Sequence, residues 1–152
     1  MSVDDLYREI ILDHYRSPRN KRRGVEGATL VKHDNPLCGD ELALSIDVED
    51  GKLSDVAFDG RGCSISQASA SMMTEAVQGK AVDDALKLAS DFRGMMAGTV
   101  EPDEDEFGDL VALKGVVKYP IRIKCAVLAW DVLQEALQEG AGEAAGTAPH
   151  AV

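Results

Sequence analysis

The amino-acid sequence predicts an α+β fold, a three-stranded antiparallel β-sheet covered by helices. Residues 42–48 alternate between apolar and polar side chains, which is the period-2 pattern of a half-buried strand. A hairpin signal at Asp50-Gly51 follows, and residues 55–59 alternate again, so we expect these two strands to pair antiparallel. Helical spacing of apolar residues precedes and follows the pair, and a sheet with one apolar face needs helices to cover it.

The first helix begins just after Ser2. Ser2 and Asp5 resemble a capping box, with Asp where Glu or Gln is usual. Apolar residues then recur at helical spacing from Val3 to His14, and Ser17-Pro18 ends the pattern because proline disfavours a helical residue before it. His14 continues the apolar stripe, so we expect a packed histidine and not a metal ligand.

The remaining elements are predicted from apolar spacing and turn residues. They are a short strand over 29–32, a helix over 66–77 that stops near Gly79, a helix through 82–92, a mobile acidic loop over 99–109, a short helix over 110–117 and a last helix that begins at Pro120.

Length and charge limit the function. The chain has 152 residues, for which we expect one domain over residues 1–138 and a disordered tail rich in Gly and Ala over residues 139–152. A formal net charge of −11 argues against nucleic acid or an anionic membrane as a partner. An acidic amino terminus unlike a signal peptide, together with only 3 cysteines, predicts a cytoplasmic protein with reduced thiols.

One basic segment interrupts the acidic sequence. We call it the basic island, and it consists of Arg16, Arg19, Lys21, Arg22 and Arg23. It is interpreted either as a solvated loop of mixed charge or as an electrostatic contact for a protein partner.

The three cysteines carry most of the chemical information. Cys38 stands in a polar loop beside Gly39, Cys63 lies between a strand end and a helix start, and Cys125 falls near the beginning of the last helix. Three thiolates and the Asp40 carboxylate are a ligand set that suits a borderline-soft cation such as zinc. A single free cysteine is more often a small buried apolar residue, but three at element ends favour one gathered site.

Two further interpretations stay open at this point. The same thiolates are nucleophiles that can hold sulfur as a persulfide, and positive helix-end potential favours the thiolate at Cys63 and Cys125. His33, five residues before Cys38, is a minor candidate ligand. Phosphate-loop, metalloprotease and dinucleotide-binding motifs are absent from the sequence.

At these residues the chain resembles the SufU branch of the IscU/NifU-type iron–sulfur cluster assembly proteins. The resemblance is carried by the runs Leu6–Asn20, Asn35–Asp40, Phe58–Ser71 and Arg122–Trp130. Lys124 stands where scaffold members carry a histidine before the third cysteine, and residues 101–109 correspond to an insertion of SufU-like members. Both features place the chain nearer to SufU than to the scaffolds.

The resemblance implies a zinc site formed by Cys38, Asp40, Cys63 and Cys125. It also implies that one thiolate accepts persulfide sulfur from a pyridoxal-phosphate cysteine desulfurase of the SufS type, with a partner histidine replacing one zinc ligand, and that the sulfur passes to downstream SUF proteins or other acceptors. We choose Cys38 as the acceptor because it lies on the most mobile and polar of the three cysteine-bearing segments. Two alternatives are a scaffold that assembles a [2Fe–2S] cluster on the same ligands and a structural zinc domain that acts as an adaptor.

Overall fold

The computed structural model describes residues 2–22, 29–35 and 40–142, of which 29–35, Asp40 and 139–142 are described by their backbone. Its elements, in chain order, are α1 (Val3–Arg16), β1 (Thr29–Asn35), β2 (Asp40–Glu49), β3 (Lys52–Arg61), α2 (Ser64–Val77), α3 (Val82–Ala97), α4 (Glu104–Phe107), a 3-10 helix (Gly108–Val116) and α5 (Pro120–Gly142). The predicted α+β class is confirmed. Within the described ranges, no helix is long and apolar enough to cross a membrane.

The sheet is antiparallel with the order β1-β2-β3. β2 and β3 form the predicted hairpin, and its turn places Asp50 at φ 56° and Gly51 at φ 76°, where glycine is favoured. Leu42, Leu44 and Ile46 point into the core as the alternation predicts. A bulge between Asp47 and Val48 then shifts the register, and Val48 is exposed.

The core lies between the sheet and helices α2, α3 and α5. Phe58 from β3, Phe92 from α3 and Trp130 from α5 are fully buried, and the rings of Phe92 and Trp130 stack with their centroids 4.7 Å apart. The paired methionines are also buried, as expected of core residues. Helix α5 continues to Gly142, so residues 139–142 of the predicted tail are helical, and residues 143–152 lie outside the described part.

Helix α1 begins with the predicted capping box, in which the side chains and backbone amides of Ser2 and Asp5 bond reciprocally. Only its second half is buried, with Ile11 at 8% and His14 at 0% exposure. Val3 and Leu6 share the apolar stripe but remain exposed. The apolar stripe therefore predicts correctly which face of α1 packs against the protein. It is wrong for the first turns of the helix, where the stripe residues stay exposed.

The acidic segment is more ordered than the sequence predicts. Residues 104–107 form α4, which Asp103 caps by accepting a hydrogen bond from the Asp105 amide. Phe107 is 4% exposed and Leu110, in the following 3-10 helix, is 1% exposed, so apolar burial anchors the segment to the core. The prediction of a loop over 99–109 was wrong for α4. The acidic composition of this segment indicated a loop, although Phe107 within it is buried and anchors it to the core.

Candidate metal and sulfur site

Cys63 occupies the amino-terminal end of α2. It is the N-cap residue, and its Sγ accepts a hydrogen bond from the Ser66 amide over 3.5 Å. A sulfur at this position faces the positive end of the helix dipole. The side chain is half-buried and forms no disulfide. The structure therefore places Cys63 between β3 and α2, as the sequence predicts.

Cys125 lies in the second turn of α5, which begins at Pro120 as predicted. The residue is buried, and its Sγ–H donates to the Ile121 carbonyl oxygen over 3.8 Å. Burial within the first two turns of a helix keeps the sulfur in one place and limits its access to solvent. Its chemistry is therefore that of a held ligand more than that of an exposed nucleophile.

Arg122 lies near both cysteines. The pKa of Arg122 is raised above its ordinary value, chiefly by the charge of Cys63 and further by Cys125, with hydrogen bonds to both sulfurs adding to the effect. The Arg122 guanidinium therefore lies close to the side chains of both cysteines. The sequence analysis missed Arg122, although its position three residues before Cys125 puts both on one helix face.

A buried hydrogen bond holds the two cysteine-bearing helices together. Ser69 on α2 donates from Oγ to the Ala126 carbonyl oxygen on α5 over 2.6 Å, and both residues are buried. Ser69 lies six residues after Cys63, and Ala126 follows Cys125 directly. This contact fixes the two helix starts, and hence the two sulfurs, relative to each other.

The start of β2 lies at the same end of the sheet as Cys63. Glu41 is the register partner of Arg61, so the Asp40 backbone stands beside the chain that leads into Cys63. Gly60 permits the close approach of the two strands, since it has φ 137° and a Cβ there would lie 2.9 Å from the Glu41 carbonyl carbon. Cys38 and Gly39 lie outside the described residues, and the side chains of Asp40 and His33 are not described.

The basic island folds back onto the protein. Its members at 19–22 lie along β3, where the Phe58 amide donates to Asn20 and the Arg22 amide donates to Phe58. Their side chains have partners within the chain: Arg19 pairs with Asp13, Lys21 donates to Gln67, and Arg22 pairs with Asp55. Arg23 lies outside the described residues. These intramolecular partners weaken the hypothesis that the island is a docking contact.

The fold and the site together define a class of protein. It is an α+β protein in which two cysteine thiols and one arginine lie near the amino ends of two helices. Residues 6–126 match the model of the NifU-like N-terminal domain, and the chain belongs to that family. The resemblance to SufU-type iron–sulfur cluster assembly proteins is thereby confirmed.

Two curated relatives carry different functional names. The chain is 44% identical to the zinc-dependent sulfurtransferase SufU of Bacillus subtilis, covering 93% of this chain and 95% of that protein. It is 42% identical to the iron–sulfur cluster assembly scaffold protein IscU of Streptococcus pyogenes, covering 91% and 87%. Family membership is therefore shown, and the choice between sulfur transfer and scaffolding needs a separate argument.

Solved structures agree with the fold. A putative cluster assembly scaffold protein for the SUF system from Fervidobacterium islandicum superposes with a TM-score of 0.79 at 36% identity, covering 85% of this chain and 94% of that chain. The crystal structure of a protein described only as hypothetical superposes at 0.83 and 42% identity, covering 90% and 99%.

Proposed function

We propose that this protein is a zinc-binding sulfur carrier that takes persulfide sulfur from a SufS-type cysteine desulfurase and passes it to downstream SUF proteins or other acceptors. The observation that carries the proposal is the position of Cys63 and Cys125 at the amino ends of α2 and α5, with the cation Arg122 near both. Two thiols that share one cationic neighbour are suited to act as thiolates. We infer a reducing compartment, the cytoplasm, because the function needs free thiols.

We propose Cys38, Asp40, Cys63 and Cys125 as the zinc ligands. Three thiolates and one carboxylate are a ligand set that zinc accepts in tetrahedral geometry. Three observations support this set: the position of Arg122 near two of the cysteines, the N-cap position of Cys63, and the Asp40 backbone at the same sheet end. Bound zinc would hold the thiolates in their deprotonated form, and hydrogen bonds from Arg122 would orient the two sulfurs from outside the ligand set.

Cys38 is the proposed sulfur acceptor. Cys125 is buried and Cys63 caps a helix, so both sulfurs are held by folded elements. Cys38 instead stands in sequence beside Gly39 and Asp40. Its thiolate would attack the terminal sulfur of the desulfurase persulfide, forming a new S–S bond while the old one breaks. The desulfurase cysteine leaves as a thiolate, and the transfer needs no oxidant or reductant.

A scaffold that assembles a [2Fe–2S] cluster is the second candidate. The name of the Streptococcus pyogenes relative favours it, because that protein is 42% identical to this chain. Against it, Lys124 stands directly before Cys125, and its ammonium group is not a metal ligand at neutral pH. The two candidates use the same proposed ligands and differ in what the site carries.

The test is sulfur transfer measured on intact protein by mass spectrometry. The zinc-loaded chain is incubated with a SufS-type desulfurase and cysteine, and its mass is followed for the gain of one sulfur atom. We expect this gain in the parent protein and not in Cys38→Ser, which should stay folded although it lacks one proposed zinc ligand. Cys63→Ser is the matched control and should lose both zinc and stability, since its sulfur is held by the fold.

The outcomes separate the candidates. Equal sulfur uptake by Cys38→Ser would overturn the acceptor assignment. A protein that takes up no sulfur, but develops the brown absorbance of an iron–sulfur cluster when given iron and sulfide, would establish the scaffold function instead. Zinc-loaded protein that gains sulfur and remains colourless supports the sulfur carrier.

A further inference from the structure

His14 on α1 is buried among polar groups from two other elements. The imidazole is 0% exposed, with Nδ1 2.8 Å from the Ser71 hydroxyl oxygen on α2 and Nε2 2.9 Å from Oδ2 of Asp109 in the 3-10 helix. The sequence analysis expected a packed histidine at this position, and its burial is confirmed. Its carboxylate neighbour was not predicted, because it comes from a segment 95 residues away.

A second carboxylate lies close to this pair. Ligand atoms of His14, Glu75 and Asp109 all lie within 4.8 Å of one another. Arg19 lies near Glu75, with Nε 4.0 Å from Oε2, and it pairs more closely with Asp13 at 2.9 Å. The Glu75 side chain is 54% exposed, so it keeps the rotamer freedom needed to approach the other two groups.

Two of these groups, Glu75 and Asp109, border a solvent-open cavity of about 300 Å³. The cavity is lined by Glu75 and Asp109, by two further acidic residues, Asp105 and Glu106, and by apolar residues that include Phe107. An ion held by His14, Glu75 and Asp109 would therefore have an entry path. The additional carboxylates favour a cation in the cavity over an anion or a neutral molecule.

We propose that His14, Glu75 and Asp109 form a second metal site, for a divalent transition-metal ion. One neutral imidazole and two carboxylates match the charge of such an ion, and nitrogen with oxygen ligands suit Mn²⁺, Fe²⁺ or Zn²⁺. Ligands on adjacent octahedral positions at about 2.1 Å from the metal lie about 3 Å apart. The Nε2–Oδ2 distance of 2.9 Å already has this value.

Ser71 completes the arrangement as an outer partner. A histidine that binds a metal through Nε2 usually donates its Nδ1–H to an oxygen, which fixes the tautomer and the ring orientation. The Ser71 oxygen lies within hydrogen-bond distance of Nδ1, and the Arg19 backbone amide donates to the same oxygen over 2.8 Å. The imidazole is thus held with Nε2 toward the Asp109 carboxylate.

The proposed site is separate from the cysteines. Glu75 lies 12 residues after Cys63 along the same helix, which is about 18 Å at 1.5 Å per residue. The site has no sulfur among its ligands, so it should prefer oxygen-seeking ions that bind poorly to thiolates. A metal ion bound there would link α1, α2 and the acidic segment near the carboxyl end of α2, whereas Cys63 lies at its amino end.

The test uses Mn²⁺, because it selects the carboxylate–imidazole site over the cysteines. The zinc-loaded chain is titrated with Mn²⁺, and free ion is measured by electron paramagnetic resonance. We expect saturable binding of one Mn²⁺ per chain, together with selective broadening of the His14 imidazole signals in the proton NMR spectrum. His14 is assigned among the 3 histidines by the signals that persist in His33→Gln and His150→Gln.

The variants test each exposed ligand without altering its shape. Asp109→Asn and Glu75→Gln should each weaken Mn²⁺ binding about tenfold or more, as the loss of a ligand or its support does in other metal sites. Glu104→Gln is the matched control, since Glu104 is an exposed carboxylate of the same segment that does not line the cavity. It should bind Mn²⁺ as the parent does.

Three results would overturn the proposal. The first is the absence of saturable binding, and the second is broadening that spares His14. The third is equal weakening by Glu104→Gln, which would mean that Mn²⁺ responds to the overall acidity of the segment. Glu75→Gln keeps the test decisive if Asp109→Asn unfolds, because Glu75 has no hydrogen bond to the buried histidine among those described for His14.

Discussion

Replacing Gly60 with alanine tests how the end of the sheet builds the sulfur site. Gly60 pairs with Leu42 two residues from the start of β2 and lies three residues before Cys63. Its φ of 137° is a conformation that side chains disfavour. A Cβ there would meet the Glu41 carbonyl group, lying 2.9 Å from its carbon, and would lie 3.1 Å from the Cα of Leu42.

The size of the effect follows from two costs. Holding an alanine in this backbone conformation costs about 1–3 kcal/mol. The clash adds to that cost because the neighbouring atoms are backbone and cannot rotate away, so we expect about 3–4 kcal/mol in all. Gly51→Ala is the matched control, since Gly51 has φ 76° but no atom within 4 Å of its Cβ position. It should cost only about 1–2 kcal/mol.

The assay is thermal unfolding at one fixed zinc concentration, because zinc bound to the native state raises the unfolding temperature. For a domain of this size each kcal/mol lowers that temperature by about 2–4 °C. Gly60→Ala should therefore unfold about 10 °C below the parent and Gly51→Ala about 4 °C below it. Gly60→Ala should also bind zinc more weakly, whereas Gly51→Ala should not. Equal destabilisation by the two variants would refute the close-approach argument.

Two further predictions concern contacts around the cysteines. Arg122→Gln should weaken zinc binding about tenfold, because Arg122 would support two of the proposed ligands from outside the ligand set; Arg122→Lys should be intermediate, and parent-like zinc affinity in Arg122→Gln would exclude the role. Ser69→Ala should lower the free energy of unfolding by about 1–2 kcal/mol by leaving the buried Ala126 carbonyl oxygen with one fewer donor. Ser54→Ala is its control, because it removes an exposed hydrogen bond from a hydroxyl group to the Asp47 carbonyl oxygen. It should lower the free energy of unfolding, measured in urea, by only a few tenths of a kcal/mol.

The parts of the fold with local signals were predictable from the sequence. The α1 cap depends on residues three apart, the hairpin on two turn residues, and the start of α5 on one proline. Cys63 at the start of α2 follows from the same local reading of strand, glycines and helix. Each of these features is set by neighbours in the chain, so a single sequence contains the information.

Contacts between distant segments were not predictable in the same way. Asp109 looked like one more acid in an acidic loop, and only the fold brings it to His14, 95 residues away. The sequence alone left the basic island with two interpretations, because its acceptors Asp55 and Gln67 lie on other elements. The role of Arg122 was not predicted for a related reason. One of its two cysteine neighbours, Cys63, lies at the start of α2, far from Arg122 in the sequence. Charge patterns along a chain do not report such pairings.

Helix α2 shows why the distant contacts have definite partners. The helix is buried on nearly every side between Ser66 and Thr74, yet it is rich in hydroxyl groups. A buried hydroxyl needs a partner, and three of those on α2 bond to other segments: Ser69 bonds to α5, Ser71 to α1, and Thr74 to the chain that follows α1.

These hydrogen bonds set the rotation and position of α2 relative to its neighbours, which apolar packing alone specifies less strictly. The amino end of the helix then carries Cys63 next to Cys125, and its carboxyl end carries Glu75 next to His14 and Asp109. Small polar residues in a buried helix thus position the residues of both proposed sites. A hydroxyl-to-alanine change on α2 should therefore affect the site on its own side, Ser69 the cysteines and Ser71 the histidine, more than the opposite one.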